Sequence, residues 1–326
     1  MSGRLEKETQ FYEKMKVKLR GMPKILNEYC TSLRANRKTY TTVRVYIINV
    51  IHFANFVCDG NLTEDFYKYV TPGDVENYII SLETRETKDG PKRTGDNILQ
   101  ARWSSLNTFF EWLIQRWYVD KNPIKVVNRP KNNTEHKVTY LTKPEINRFF
   151  KAVDKNPDRV MSARDKTMFS LAIATGLRAS ALLNINKEDV DLENGIIKVI
   201  EKRQKVREIA IGENMVTMLK SWIEIRDDRF GSLSTTALFI SRSHGRLTPD
   251  AANDAIKRYC EEAGIQKHIT MHKFRATSAC SLAKAGVPLK AIQKQLGHAS
   301  SQTTLIYIDT FAEDSERAKS ILDSYV

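Results

Sequence analysis

Cysteine is scarce in this chain, with four in 326 residues: Cys30, Cys58, Cys260 and Cys280. They lie far apart and form no C-x-x-C. That excludes a zinc ribbon or a disulfide framework and fits reduced, cytosolic thiols. Long apolar runs are also missing, and no stretch approaches the ~18 apolar residues of a membrane span. The opening segment, MSGRLEKETQFYEKMKVKLR, is charged throughout and has no apolar h-region of a signal peptide. A cytoplasmic location is the expectation. There is neither an internal repeat nor a low-complexity segment. Acidic residues are in deficit: 39 Asp and Glu against 52 Lys and Arg leave a formal charge of +13. Such an excess favours a polyanionic partner, because binding releases counterions from phosphates. A basic protein with no nucleic-acid partner is the plain alternative.

What is present divides the chain. At this length two cores are feasible. The first ~120 residues read as nearly all helix. YTTVRVYIINVIHFANFV places Val43, Tyr46, Ile47, Val50, Ile51 and Ala54 at helical spacing, and TGDNILQARWSSLNTFFEWLIQRWYV does the same through Leu99, Trp103, Leu106, Phe110 and Leu113. The polar side of the second helix carries Asn97, Gln100, Ser104, Asn107 and Thr108, with Arg102 nearby. Such a face can read base edges in a major groove. A solvated helix face is the simpler reading. Residues 1–22 form one extra amphipathic helix, and Arg44 adds a cation to the first of the two long helices.

Residues 121–140 break the period. DKNPIKVVNRPKNNTEHKVTYLT has two prolines, four asparagines and the cations Lys121, Lys125, Arg129, Lys131 and Lys137. This reads as an extended basic linker that can run beside a phosphate backbone. Beyond it, Thr142 and Glu145 form a capping box. DKTMFSLAIATGLRASALLNI is a helix, a break at Gly176 and a second helix. GIIKVIEKRQKVREIAI is a hairpin, and ALFIS is a strand. Thr248, Pro249 and Gly264 bound another helix. MHKFRATSACSLAKAG and VPLKAIQKQLG are two more, closed by Gly286 and Gly297.

Residues able to do chemistry collect in this second part. Arg178 follows the Gly176 break. Lys202 sits at the end of a hairpin strand. His272 and Arg275, at i and i+3, share a helix face. His298 and Tyr307 are nine residues apart, about two and a half turns of an unbroken helix, which would set them on opposite faces. Gly297 as a helix stop and Ser300 and Ser301 as N-caps supply the interruption that lets them meet. Singly, each has an ordinary explanation as surface charge, structural histidine or core tyrosine. His268 and His272, at i and i+4, mimic a metal pair, but no third ligand or H-E-x-x-H accompanies them, so neither a metal nor another cofactor is called for.

Together these groups suit attack on a phosphodiester. Two guanidiniums clamp non-bridging oxygens, a tyrosine attacks, and a lysine or histidine protonates the leaving oxygen. Ionising a phenol of pKa near 10 at pH 7 costs about 4 kcal/mol. One well-placed donor is worth about 3–4 kcal/mol in such sites.

The order Arg178, Lys202, His272-x-x-Arg275, Gly297-His298, Tyr307 resembles the tyrosine recombinase (phage integrase) family. ATGLRAS is similar to its first arginine box, EKRQKVREIAI to its lysine hairpin, and LGHASSQTTLIYI to its Leu-Gly-His…Thr-Thr…Tyr box. The resemblance runs from about Leu141 to Thr310. It implies a mostly α fold with a small β-sheet in the C-terminal domain: a helical core-binding domain at 23–120 and a mixed α/β catalytic domain at 141–309. It implies that Tyr307 attacks and leaves a 3′-phosphotyrosyl link, that Arg178 and Arg275 hold the phosphate, and that Lys202 is the general acid. His272 then assists as base and His298 bonds the phosphate. The expected partners are double-stranded DNA with a specific core site and three further copies in a homotetramer, acting through a Holliday junction in integration, excision or resolution, with a nucleoid-associated location. DNA contacts are expected from Arg44, Asn97, Gln100, Arg102, Lys125 and Arg129. Residues 310–326, with Phe311, Ala318, Ile321 and Leu322 as an apolar stripe, read as a tail helix docking on a neighbouring protomer. One position departs from the family. Ala181 stands where an acidic residue is common, so a supporting carboxylate is missing or comes from elsewhere, with Glu188 and Asp189 as candidates. The alternatives are a type IB topoisomerase-like relaxing enzyme and a DNA-binding regulator on the same fold.

Overall fold

The computed structural model describes residues 2–87, 90–131, 138–200 and 206–297. The chain separates into two compact units, 1–135 and 136–326.

The first unit is built from α1 (Ser2–Lys18), α2 (Lys24–Ala35), α3 (Tyr40–Val57), α4 (Pro72–Ser81) and α5 (Asp96–Gln115). The periodicity of α3 and α5 is realised in its core: Val43, Ile47, Val50, Leu106, Phe109 and Leu113 are fully buried. The two helices are also pinned by a buried bond from Asn49 Nδ2 to Ser105 Oγ, 2.8 Å. Thr39 caps α3, and a Thr71–Asp74 capping box opens α4.

The unit is nearly all helical, with one addition: β1 (Thr84–Thr87) and β2 (Gly90–Arg93) pair antiparallel, with Thr84 opposite Arg93. The strands hold no alternating apolar residues, so the periodic signal was silent, and only Asp89-Gly90 pointed to a hairpin. Part of the segment 121–140, read as linker, is packed. Residues Pro123–Val126 form a 3-10 turn, and Ile124 and Val127 are buried in the first unit's core. Trp103 Nε1 donates to Val127 O at 3.3 Å and Gln100 Nε2 to Pro130 O at 2.8 Å. At the other end Val138 and Tyr140 pack on the second unit, and Leu141 N donates to the buried Thr277 hydroxyl at 3.0 Å. Asn122 and Pro123 stop the helical period, yet the turn they open is packed in the first unit.

The second unit runs α6 (Lys143–Asp154), α7 (Arg159–Thr175), α8 (Ala179–Leu183), β3 (Val190–Asp191), β4 (Ile196–Ile200), β5 (Val206–Ala210), α9 (Glu213–Phe230), α10 (Pro249–Glu262), α11 (Met271–Lys284) and α12 (Leu289–Leu296). The three strands form an antiparallel sheet in the order β3-β4-β5, with Ile200 opposite Val206. The expected hairpin is therefore present, and β3 extends it. Thr142 and Glu145 form their capping box, and Thr248 caps α10 by accepting from Ala251 N. The core gathers Phe149, Phe169, Trp222, Phe239, Tyr259 and Phe274.

The ALFIS segment is not a strand. Ala237 and Ile240 make isolated bridges only, to Asn186 and Arg246. Ala237 to Ile240 are nonetheless fully buried, so their backbone must find partners. Leu238 N donates to Ile185 O (2.9 Å) and Phe239 O accepts from Leu247 N (3.0 Å), and side chains serve the remaining carbonyls: Trp222 Nε1 donates to Leu238 O (2.9 Å), Arg226 Nε to Ala237 O (2.9 Å), and an Arg164 NH group to Ile240 O (2.7 Å). Arg164 is itself held by Asp165, whose other oxygen accepts from Tyr259 Oη at 2.8 Å.

Candidate active site

Two glycine-terminated helices bring the first site residues together. α7 ends on Gly176 with φ +61°, a left-handed cap. The next helix starts after Arg178, so the break aims that arginine out of the α7–α8 corner. α12 ends on Gly297 with φ +66° and ψ +45°. The two ends touch. A Cβ on Gly176 would lie 2.3 Å from Leu296 Cδ2 and 3.1 Å from Ser278 Oγ. Gly176 is thus required twice, for its positive φ and for the absence of a side chain where α12 packs.

Both arginines bind this corner. Arg275, on α11 and only 2% exposed, donates to the Gly176 carbonyl at 2.8 Å. Arg178, half-buried, donates to the Gly297 carbonyl at 3.3 Å. Each guanidinium is therefore oriented by a helix-end carbonyl that its own helix leaves unsatisfied. His272 lies one turn before Arg275 and reaches the surface. Burial of its ring, with Lys273, Arg275 and Arg178 nearby, holds its imidazole below the ordinary histidine range. Three cations thus surround a histidine that stays neutral near pH 7, a setting that attracts an anion and leaves the imidazole able to accept a proton. Among the described residues Arg178, His272 and Arg275 lie close together. Lys202, His298 and Tyr307 lie outside the described residues, as does the 310–326 tail.

The other candidates divide. Arg44 is exposed on α3 and Asn97 is exposed at the start of α5. Gln100 is committed to Pro130, and Asn107 accepts from Asn122 Nδ2 at 2.9 Å, so much of the polar side of α5 secures the following segment instead of standing free. Arg102 is half-buried and faces His52 and Tyr78. Lys125 pairs with Glu111 at 2.8 Å, and Arg129 lies 6.0 Å over the Trp103 ring. His268 is not on the α11 helix, so the i, i+4 pair with His272 does not form. No group of three potential metal ligands occurs among the described residues. The two carboxylates proposed in place of the absent acid at Ala181 have partners nearby. Asp189 accepts from Asn186 N at 2.8 Å, and both Asp189 and Glu188 lie in the field of Arg246.

Sequence reasoning missed Arg207, whose guanidinium donates to Gln295 O in the last turn of α12. The available signal was its place in the alternation of β5, where a charged residue points the same way as buried Ile209. It also missed Leu296 as the residue that fills the space above Gly176.

Comparison with known proteins accords with this geometry. Residues 139–314 match the model of the phage integrase family. Tyrosine recombinase XerC of Alcanivorax borkumensis is 29% identical over 238 residues, covering 73% of this chain and 75% of the relative. XerC of Escherichia coli O157:H7 (strain EC4115 / EHEC) is 32% identical over 219 residues, covering 66% and 70%. Among solved structures, XerH site-specific recombinase bound to palindromic difH substrate in a post-cleavage complex superposes with a TM-score of 0.70 at 20% identity, covering 91% of this chain and 84% of that one. A lambda integrase dimer bound to a COC′ core site gives 0.68 at 18% identity, covering 88% and 95%. No described helix is long and apolar enough to cross a membrane. With the family model spanning more than half of the chain and XerC relatives aligned over two thirds of it, the chain belongs to the phage integrase family and the enzyme is a site-specific tyrosine recombinase.

Proposed function

We propose that this recombinase cleaves and rejoins double-stranded DNA at a specific core site through a 3′-phosphotyrosyl intermediate. Tyr307 Oη attacks the scissile phosphorus. The new P–O(Tyr) bond forms as the P–O5′ bond breaks. His272 takes the phenolic proton, and Lys202 gives one to the departing 5′ oxygen. Arg178 and Arg275 carry the charge on the non-bridging oxygens, and His298 adds a hydrogen bond to one of them. Rejoining reverses these transfers, with a 5′ hydroxyl from the other duplex as nucleophile.

The observation that carries this reading is the convergence of Arg178, Arg275 and a neutral His272 on one glycine-built corner. Such a corner fits a phosphate better than it fits a carbonyl or a sugar. The helical unit serves as core-binding domain, with Arg44, Asn97, Gln100, Arg102, Lys125 and Arg129 as its DNA contacts. Four protomers hold two duplexes and exchange strands in pairs through a Holliday junction. The 310–326 tail docks on a neighbouring protomer and couples assembly to cleavage. The setting is the cytoplasm, on nucleoid DNA, and the element served is a mobile one.

The test begins with a pool of random-sequence duplexes. DNA trapped on the denatured chain supplies the site, and a plasmid with two copies of it is then offered. Deleted or inverted product is expected. Relaxation without exchange would make the chain a topoisomerase-like enzyme, and binding without either would make it a regulator.

A further inference from the structure

We propose that Arg207 is a positioning residue for the general acid, clamping the β4–β5 hairpin to the end of α12. The inference rests on the reading of Lys202 as that acid. It starts from an inconsistency in β5. Burial alternates along Val206–Ala210, with Val206, Glu208 and Ala210 outward and Arg207 and Ile209 inward. An inward guanidinium beside Ile209 and opposite Val199 needs a partner. It has one in the Gln295 carbonyl. Gln295 stands in the last turn of α12, where carbonyls have lost their intrahelical donors. The Gly297 cap closes through the Gln293 and Lys294 carbonyls and leaves that of Gln295 to Arg207.

The position of this bond gives it a role beyond packing. Arg207 adjoins Val206, which pairs with Ile200, and Lys202 follows Ile200 by two residues in the chain. The clamp therefore fixes the end of the hairpin at which the two strands are joined through residues 201–205. Its other end is the α12 terminus, whose Leu296 sits on Gly176 and whose Gly297 carbonyl receives Arg178. One guanidinium thus ties the lysine-bearing hairpin to the corner that orients the phosphate-binding arginines. A clamp of this kind sets the distance from acid to leaving oxygen, and a misplacement of about 1 Å costs roughly 100-fold in rate.

The test uses the full chain and a nicked duplex bearing the captured site, with either oxygen or sulfur at the bridging 5′ position. A thiolate leaves without protonation, so a displaced acid no longer matters. Arg207→Gln should cleave the oxygen substrate about 100-fold more slowly and the sulfur substrate at close to the unsubstituted rate. Arg207→Lys, which keeps one donor, should recover part of the loss, and it carries the same comparison if Arg207→Gln does not fold. Lys202→Ala is the control. If sulfur rescues Lys202→Ala but not Arg207→Gln, the inference is wrong and the acid assignment stands. Unimpaired oxygen cleavage by Arg207→Gln also overturns it. If sulfur does not rescue Lys202→Ala, the acid assignment has failed and the positioning role falls with it.

Discussion

Arg275 shows how one side chain serves structure and chemistry together. It is buried, and one of its nitrogens holds the Gly176 carbonyl. Arg275→Ala should therefore do two kinds of damage. Losing the partner of a buried carbonyl costs about 1–3 kcal/mol of stability by chemical denaturation. Losing a phosphate donor slows cleavage by roughly 100- to 1,000-fold. Gly176→Ala should destabilise the chain by about 1–3 kcal/mol, since the methyl group enters the space of Leu296 Cδ2. Adding Leu296→Ala should give a double variant less destabilised than the sum of the two, whereas simple additivity would show that the contact is not what constrains Gly176. His272 offers a titration. Its folded imidazole binds a proton less readily than the unfolded one, so stability should fall as pH drops from about 6.5 toward the depressed value. The sign follows because the unfolded chain takes up the proton first. In NMR, its ring resonances should titrate below the ordinary range, and DNA that neutralises Arg178 and Arg275 should move them upward. A free-protein value at or above the ordinary range would remove the cationic cluster from the site. The residue types here were legible from spacing alone. Leu296 above Gly176 and Arg207 beneath Gln295 were not, because both contacts join elements far apart in sequence.

Elements with a strong period, cap or glycine stop were readable: α3, α5, the Thr142–Glu145 box, and the ends of α7 and α12. Elements whose stability comes from elsewhere were not. The ALFIS segment has the apolar run of a strand, yet isolated backbone bonds to Ile185 and Leu247 and the side chains of Trp222, Arg226 and Arg164 take the places of neighbouring strands. The polar β1–β2 hairpin has no apolar alternation to announce it. The Pro123–Val126 turn looked like linker because proline and asparagine are loop residues, but Ile124 is fully buried between α5 and the rest of the first unit. Ile124→Ala should consequently cost about 2–5 kcal/mol, measured as a shift in the denaturation midpoint. A change within ~0.5 kcal/mol, as expected for a surface site, would return this segment to the linker.

At the scale of the molecule, two separately cored units and a charge of +13 are the premises of a DNA enzyme. Both were legible in composition and in the loss of period after residue 120, although Ile124 and Val127 beyond it pack in the first unit's core. If the protein contacts six to ten phosphates, affinity for the captured duplex should fall about 10³- to 10⁵-fold between 50 and 200 mM salt, followed by fluorescence anisotropy. The central chemical claim is that Tyr307 becomes covalently joined to the 3′ phosphate of the cleaved strand. Trapping the full chain on a nicked duplex, digesting the DNA and sequencing the modified peptide by mass spectrometry tests it directly. The expected result is a phosphonucleotide adduct on Tyr307, and none from Tyr307→Phe, which should still bind the duplex. An adduct on another residue, or one that persists in Tyr307→Phe, contradicts it.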